Sequence, residues 1–343
     1  MTNELRVAQH AIPRHVLARF SNDDGRLTVL RRAPLMKVLR NQAPENVGVH
    51  NHLNNWRDET GEWNDELETG PLQRLDGAGA RFLDDVVQFG IDVDAEAHPR
   101  LLGWDLEQRA ALQLFVAGLM VRTTTFREGL DRSALPTLLS DMSRRLDDQH
   151  AVGAIGAAEY ELLRRTFATE GRVEVVRPPY WHLTILVPLI QSVATQIHLD
   201  TLVAVRRFPE PLLLTGAEPV VLFPTADYAG GVSLGELLGS PDHQIEPWRD
   251  QDSVLKQIND RIHALAGLAV AVDPRTLLLM FNPDIESGGK LAWIASQVHA
   301  EGLAGAVNIM VAKSSTWLAG RDDCQILALL ADAFGVQWSS DES

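Results

Sequence analysis

The sequence predicts an α+β fold, in which a mainly helical first part packs on a small mixed or antiparallel sheet from the second part. Two observations lead to this class. Apolar residues recur at helical spacing through much of the chain before residue 200. Beyond it they form short runs rich in Val, Leu and Phe between Pro and Gly residues, which is typical of strands. We therefore predict a helical part (1–200) and a strand-bearing part (201–338) that form one continuous structural unit.

The chain begins with a short predicted helix that leads into a strand. Pro13 can occupy a first helical position, and residues 14–20 form an amphipathic run behind it. Residues 26–30 have the composition of a strand, and a second extended segment is expected at 46–50. The polar stretch 51–70 is predicted to be a loop.

The predicted helix 105–127 differs from the others because it is apolar on every side over residues 110–121, except at Gln113. A helix of this kind is buried all round. Its end carries Arg122 and Arg127. A guanidinium there must meet a carboxylate, helix-end carbonyls or a bound anion, since an unpaired buried charge is too costly. The remaining predictions are helices at 72–94, 135–147, 157–169, 181–199, 252–266, 289–300 and 323–334, and strands at 202–208, 212–215, 220–223 and 276–281.

Charge and composition exclude several classes of protein. A formal charge of −15 and a pI near 5.1 argue against a general DNA or membrane-surface binder, because phosphate binding depends on clustered Lys and Arg. One cysteine allows no intrachain disulfide, which fits a reducing cytoplasm. The first 14 residues lack the apolar core of a secretory signal, and residues 183–199 are too short and too polar to span a bilayer. We predict a cytoplasmic protein that does not bind membranes.

Common cofactor and catalytic motifs are missing from the sequence. It has no glycine-rich dinucleotide or phosphate loop, no Gly-x-Ser-x-Gly elbow and no His-Glu-x-x-His. These absences disfavour a nucleotide-dependent kinase, a Rossmann dehydrogenase, an α/β-hydrolase and a zincin, and the cofactor stays unknown. His50 and His52 would share one face of a strand and could seed a metal site. A metal needs three or four convergent ligands, however, and the alternative is a polar loop.

The segment Gln9-His10-Ala11-Ile12-Pro13-Arg14 contains the strongest candidate site. A histidine beside a proline is more often a structural hydrogen-bonding group than a catalyst. A histidine grouped with two arginines and a carboxylate, however, would form an acid–base and anion-binding pocket. For Arg122 the structural alternative is an ion pair with an acidic residue such as Glu68 or Asp76.

This segment, with Phe20 at the end of the short helix, resembles the opening of a mainly bacterial family known as domain of unknown function 4238. Further similarities follow in order along the chain. They are 46–49, the acidic pair Glu68 and Asp76, the apolar stretch 115–127 with its Arg-Thr and second Arg, the 213–220 strand and turn, and Asn308 nine residues before Trp317. The resemblance implies a fold and a site location, but no reaction.

One segment departs from the family's pattern. Where members usually have Ser-Asp-Asn-Pro after a strand, this chain has Gly216-Ala217-Glu218-Pro219. The aspartate is missing, and Glu218 lies one position later. Chemistry that depends on this carboxylate would require Glu218 to replace it, in which case we expect Glu218 to point toward His10 or an arginine.

Two functional hypotheses follow. In the first, the protein is a hydrolase or a nuclease-like enzyme acting on a small anionic ligand or a phosphodiester, with His10 as general acid or base and Glu68 as its carboxylate. Arg14 and Arg122 would hold the anion, and substrate binding as a whole is assigned to Arg14, Arg122, Arg127, Glu218 and Asn308. In the second, the same cationic pocket binds a ligand or partner without chemistry. Catalysis requires a free His10 nitrogen that faces a cavity near a carboxylate, whereas binding requires only that the arginines converge. In either case we expect His10, Arg14, Glu68 and Arg122 to share one cleft.

Overall fold

The computed structural model confirms the α+β class. It describes residues 8–32, 36–57, 62–91, 100–101, 103–168, 181–197, 202–225, 231–239, 251–282, 284, 286–297, 300–321, 327–328, 330–331 and 334–335. Every strand pairing within these residues is antiparallel. Among the helices described, none combines the length and the apolar character needed to cross a membrane.

The described elements comprise strands and helices that alternate irregularly along the chain. The strands are β1 (Ala8–His10), β2 (Leu27–Arg31), β3 (Lys37–Gln42), β4 (Val49–Asn51), β5 (Trp56–Arg57), β6 (Trp63–Asn64), β7 (Arg100–Leu101), β8 (Leu202–Arg207), β9 (Thr215–Gly216), β10 (Val220–Phe223), β11 (Gly267–Asp273), β12 (Thr276–Phe281) and β13 (Trp317–Gly320). The α-helices are α1 (Arg14–Ala18), α2 (Gln73–Ile91), α3 (Leu106–Val121), α4 (Thr124–Ala151), α5 (Ala157–Ala168), α6 (Trp181–Gln196), α7 (Leu234–Gly239), α8 (Gln251–His263), α9 (Glu286–Gln297) and α10 (Ala300–Ser314). A 3-10 turn (Pro44–Asn46) precedes β4, and a π-helical turn (Glu68–Leu72) leads into α2.

Two sheets combine strands from both sides of residue 200. The larger has the order β10-β11-β12-β8-β7, and the smaller has the order β3-β2-β13-β9. The ribbons β1-β4 and β5-β6 stand beside them. Because β7 lies in the larger sheet and β2 and β3 lie in the smaller one, the first part of the chain contributes strands as well as helices.

Helix α3 is the central helix that the apolar pattern predicts. Nearly all of its residues from Leu112 to Val121 are buried, and it packs against α2, α4, α6 and β10. Its beginning is fixed by a capping box, in which Asp105 and Gln108 each accept a hydrogen bond from the other's backbone N–H. The prediction of one helix over 105–127 is wrong, however. Thr123 is extended (φ −67°, ψ 151°) and caps the start of α4, because its hydroxyl accepts from the Phe126 N–H.

Several elements were not predicted from the sequence. The expected loop at 51–70 contains β5, β6 and the π-helical turn, and helix α4 begins well before the predicted residue 135. Helix α10 was missed because Gly302 and Gly305 weaken its helical signal. Strands β3, β11 and β13 also had no sequence prediction. Most of the predicted helix 323–334 lies outside the described residues.

Candidate acid–base site

The N-terminal motif borders a cleft of about 380 Å³. Its lining residues are His10, Pro13, Arg14, His15, Ala18, Glu68, Asp76 and Arg122. They come from the end of β1, from α1, from the π-helical turn, from α2 and from the C-terminal end of α3. The structure thus brings His10, Arg14, Glu68 and Arg122 together around one cleft, although they are far apart in sequence.

Strand β1 positions His10 through its pairing with β4, in which His10 lies opposite Val49. The chain then turns through Ile12, which is fully buried, and reaches Pro13 in an extended conformation (φ −54°, ψ 136°). Because its ψ is not helical, Pro13 is the N-cap residue and the helix starts after it, at Arg14, rather than at Pro13 itself. This turn places the end of β1 and the start of α1 on the same cleft.

Gly48 fixes the start of β4. Its φ of +65° lies in the left-handed region that favours glycine, and the indole of Trp317 packs directly on it. A Cβ at this position would come within 2.7 Å of Cζ2 of Trp317. The strand that supports His10 is therefore packed against β13, near the opposite end of the chain.

The imidazole of His10 has the properties of a base at neutral pH. Its Nε2 is buried and has no hydrogen-bond partner among the described residues. Burial lowers the pKa of His10 from the usual 6.5, and the charge of Arg14 acts in the same direction. The backbone of Pro44 and Glu45 and the charge of Glu68 oppose this shift without cancelling it. The ring is therefore neutral at pH 7 and retains a lone pair.

Asn54, which is fully buried, holds the carboxylate of Glu68 in place. Its Nδ2 donates to Oε2 of Glu68 at 2.9 Å, and its backbone N–H donates to Oε1 of Gln9 at 2.6 Å. Asn54 therefore joins the two chain segments that present Glu68 and His10.

Arg127 lies behind this network and does not line the cleft. Its guanidinium donates to Oδ1 of Asn54 at 2.6 Å and to the Leu53 carbonyl at 2.5 Å. Burial lowers the pKa of Arg127 to about 9, with a further contribution from the charge of Arg122, whereas Glu68 opposes the shift. Arg127 remains charged at pH 7 and orients Asn54, so its contacts are those of a supporting residue.

Arg122 is paired with Asp76, one of the two acidic partners expected from the sequence. Its guanidinium donates to Oδ1 of Asp76 at 2.6 Å and to the backbone carbonyl of His10 at 3.4 Å. Only 1% of the residue is exposed. The pair ties the ends of α3 and β1 to α2, and it neutralises the buried charge of Arg122.

Arg14, by contrast, is at the mouth of the cleft with 66% of its side chain exposed. Its nearest carboxylate is that of Glu45, at 3.7 Å and itself half exposed. Exposed pairs of this kind contribute little to stability. Arg14 is therefore able to turn toward an incoming anion.

His15 also lines the cleft, and sequence reasoning missed it. Its Nε2 is buried without a hydrogen-bond partner among the described residues, and its ring lies 5.8 Å from that of Phe115. Burial lowers the pKa of His15, and the charge of Asp76 opposes this. A helix of five residues shows too little periodicity to assign a face, so the available signal was its position directly after Arg14.

A model of the family described as "Protein of unknown function (DUF4238)" matches residues 8–227, which is more than half of the chain. The chain belongs to the DUF4238 family. The match begins at β1 and includes every residue that lines the cleft. Comparisons with curated proteins and with solved structures give no match.

Glu218, which the sequence suggested as a replacement for a missing aspartate, is buried, and it is not among the residues that line the cleft. Its backbone N–H donates to Oγ of Ser315 at 2.9 Å, and its carboxyl group interacts with Thr123 and Thr125. Burial raises the pKa of Glu218 to about 8, although the hydrogen bonds from the two threonines lower it. The expectation that Glu218 points toward His10 or an arginine finds no support in these contacts.

Asn308 likewise lies away from the cleft, beyond the segment matched by the DUF4238 model. It is fully buried, its Oδ1 accepts from the Leu214 N–H at 3.0 Å, and its Nδ2 donates to the Leu212 carbonyl at 2.7 Å. Through these two hydrogen bonds to the backbone, Asn308 joins α10 to the segment before β9.

The histidines considered for a metal do not share a face in this DUF4238 member. His50 is exposed on β4, whereas His52 follows the strand with a φ of +56° and stacks on Trp63 at 3.9 Å between ring centroids. Within the described part of the chain, no group of three or more His, Cys, Asp or Glu side chains is arranged to hold a metal ion.

Proposed function

We propose that the cleft is the active site of a hydrolase that cleaves a small phosphodiester, with His10 as its general base. The observation that carries the proposal is that the imidazole of His10 has an unpartnered nitrogen, among the described residues, at the cleft. The ring lines the cleft, its buried Nε2 has no hydrogen-bond partner among the described residues, and the charge of Glu68 acts on it. A general base needs such a free lone pair within reach of its substrate.

The proposed reaction consumes one water molecule. Nε2 of His10 takes a proton from water while the water oxygen bonds to phosphorus. The ester P–O bond then breaks, and the leaving alkoxide takes the proton from the imidazolium. Glu68 stabilises the imidazolium, because a nearby carboxylate favours the charged form. Arg14 is free to contact the phosphate oxygens, whereas Arg122 positions the backbone of His10.

A small substrate fits the size and the charge of the protein better than a polymer. The volume of about 380 Å³ is in the range of small-molecule sites. A formal charge of −15 repels a long polyanion, and so the nuclease-like version of the hypothesis is the weaker one.

The alternative, a binding module without chemistry, requires only converging arginines. Arg122 is already neutralised by Asp76, which leaves Arg14 as the exposed cation among the described residues of the cleft. The geometry therefore favours the hydrolase.

The test is hydrolysis of bis(p-nitrophenyl) phosphate and of a panel of small natural phosphodiesters. We expect His10→Gln to lower kcat by roughly 100-fold or more, which is the usual contribution of a general base. His150→Gln is the matched control, because His150 stacks on Tyr160 at the end of α4 and lies outside the cleft. No turnover by the natural sequence across the panel, or full activity of a folded His10→Gln variant, would refute the proposal.

A further inference from the structure

The charged side chains that line the cleft balance each other. Two arginines, Arg14 and Arg122, face two carboxylates, Glu68 and Asp76. Arg122 and Asp76 form a direct pair at 2.6 Å, and Glu68 accepts a hydrogen bond from Asn54. From the described residues, an anion that entered would meet no net positive charge, and burying it there would be costly without a new cation.

Two neutral imidazoles can supply that cation. His10 from β1 and His15 from α1 line the same cleft, and the Nε2 atoms of both are buried without hydrogen-bond partners among the described residues. Each ring can gain a proton and a second N–H donor. Charge-assisted hydrogen bonds from imidazolium to an oxyanion are roughly twice as strong as neutral ones.

We propose that His10 and His15 together bind a dianionic tetrahedral oxyanion, such as the phosphate monoester product, and that both imidazoles take up a proton as it binds. A phosphodiester substrate carries a single negative charge, so that a proton on His15 balances it and His10 stays neutral as the base. The inference rests on the proposed function in taking this cleft as the substrate site, but it does not require turnover. It adds His15 to the binding residues, and it makes occupancy of the site depend on pH.

The groups around His10 permit this uptake. Glu68 favours its protonated form, whereas Arg14 opposes it. His50, on the neighbouring strand β4, is close enough to interact with His10 electrostatically. Burial keeps the ring neutral in the empty cleft, and an anion would oppose that effect.

The groups around His15 come from three helices. Asp76 and Asp84 of α2 favour the imidazolium, whereas Arg19 of α1 and Arg122 at the end of α3 oppose it. Arg19 is itself paired with Asp84, and Arg122 with Asp76. Since each arginine has a carboxylate beside it, the bound anion becomes the deciding charge for His15.

Sulfate is the appropriate probe, because it is tetrahedral and keeps its two negative charges throughout the range in which histidine titrates. Isothermal titration calorimetry of the natural protein from about pH 5.5 to about pH 8 should show affinity that falls as pH rises, by roughly tenfold per pH unit for each coupled proton. Repeating the titration in two buffers of different ionisation enthalpy counts the protons directly. We expect more than one proton per sulfate at neutral pH, and this measurement needs no variant.

His15→Gln and His10→Gln should each lower the proton count by about one, and His150→Gln should leave it unchanged. Circular dichroism shows whether each variant is folded, and His15→Asn is the second choice if Gln is not tolerated. The proposal is overturned if sulfate does not bind at any pH in this range, or if it binds with no proton uptake. A folded His15 variant with the proton count of the natural protein would also overturn it.

The assays separate this inference from the hydrolase proposal. Turnover of a phosphodiester together with proton-free sulfate binding would leave the hydrolase standing and refute proton-coupled binding. Proton-coupled sulfate binding with no turnover of any phosphodiester would refute the hydrolase and support proton-coupled binding.

Discussion

At the scale of single residues, the buried charges determine the properties of the cleft. Arg122 is the largest side chain among those with less than 2% of their surface exposed. Removing it would leave Asp76 and the His10 carbonyl without the donor that holds them. We expect Arg122→Ala to lower the free energy of unfolding by about 3 kcal/mol, the size found when one partner of a buried pair is removed.

Urea denaturation measures this loss, and Arg14→Ala provides the control because its side chain is 66% exposed. The control should stay within about 0.5 kcal/mol of the natural protein. Equal stabilities of the two variants would show that the Arg122–Asp76 pair has no structural role.

The pKa of His10 predicts the shape of the pH–rate profile. Because burial lowers this pKa below 6.5, the neutral base persists at more acidic pH than for an ordinary histidine. The acid limb of kcat/KM should therefore lie below 6.5. Arg14→Ala removes a positive charge that lowers the pKa, and so it should move the limb toward higher pH. A limb at or above 6.5 in the natural protein would contradict the assignment of His10 as base.

Glu218 should make the protein less stable as pH rises. Its pKa is raised from 4.5 to about 8, so the folded protein keeps a proton that the unfolded chain loses above pH 4.5. This contribution is complete below 4.5 and is lost as pH rises to about 8. Glu218→Gln cannot ionise, and we expect it to be more stable than the natural protein by roughly 1–3 kcal/mol at pH 8.

Thermal or urea unfolding at two pH values tests this prediction. The advantage of Glu218→Gln should disappear near pH 4.5, where both side chains are neutral. Glu210→Gln, at an exposed position, should show no comparable gain at either pH. A gain that is equal at both pH values would exclude ionisation as its cause.

At the scale of elements, the contact between α2 and α3 depends on small residues. Gly79 of α2 faces the ring of Phe115 in α3, and a Cβ at Gly79 would come within 2.0 Å of that ring. We expect Gly79→Ala to destabilise the protein by about 1–3 kcal/mol, the usual cost of overpacking. Since α2 contributes Asp76 to the cleft, phosphodiesterase activity should fall as well.

Gly77 offers a matched control two residues away on the same helix. A Cβ there has no neighbour within 4 Å, so Gly77→Ala gains helix propensity without a clash. It should stabilise the protein by roughly 0.5–1 kcal/mol. Denaturation curves of the two variants should therefore shift in opposite directions, and shifts in the same direction would show that α2 and α3 are not tightly packed.

Local signals predicted the helices better than the strands. The apolar stretch over residues 110–121 identified α3, because it lies within a few turns of chain. The break at Thr123 was missed, since a threonine is compatible with a helix until its hydroxyl is seen to cap the next one. Strand β13 has only four residues, and it is recognisable only once β2 and β9 are known to lie on either side of it.

The candidate site was predicted only in part, because the sequence signals for it are also local. His10 and Arg14 belong to one short segment, and Arg122 was singled out by its position at the end of an apolar helix. Its pairing with Asp76, and the position of His15 in the cleft, depend on how α1, α2 and α3 pack together. No spacing in the sequence contains that information.

At the scale of the whole molecule, the segment that matches the family ends before the strands that complete the two larger sheets. The match ends at residue 227, before β11, β12 and β13. Strand β11 pairs with β10, β12 pairs with β8, and β13 pairs with β2 and β9. A chain that stops at residue 227 would expose the edges of β8, β10 and β2. We expect it to show no cooperative unfolding transition, whereas the full chain should unfold with coincident fluorescence and circular dichroism curves.

The packing of Trp317 on Gly48 has a consequence for the order in which a ribosome produces the protein. The indole that supports β4 belongs to β13, and it is synthesised more than 260 residues after Gly48. At roughly 5–20 residues per second, that interval lasts about 13–54 seconds. During this time β2 also lacks its partner. Each new molecule therefore carries its N-terminal motif without this support until Trp317 has been synthesised, and β4 reaches its final packing only after that.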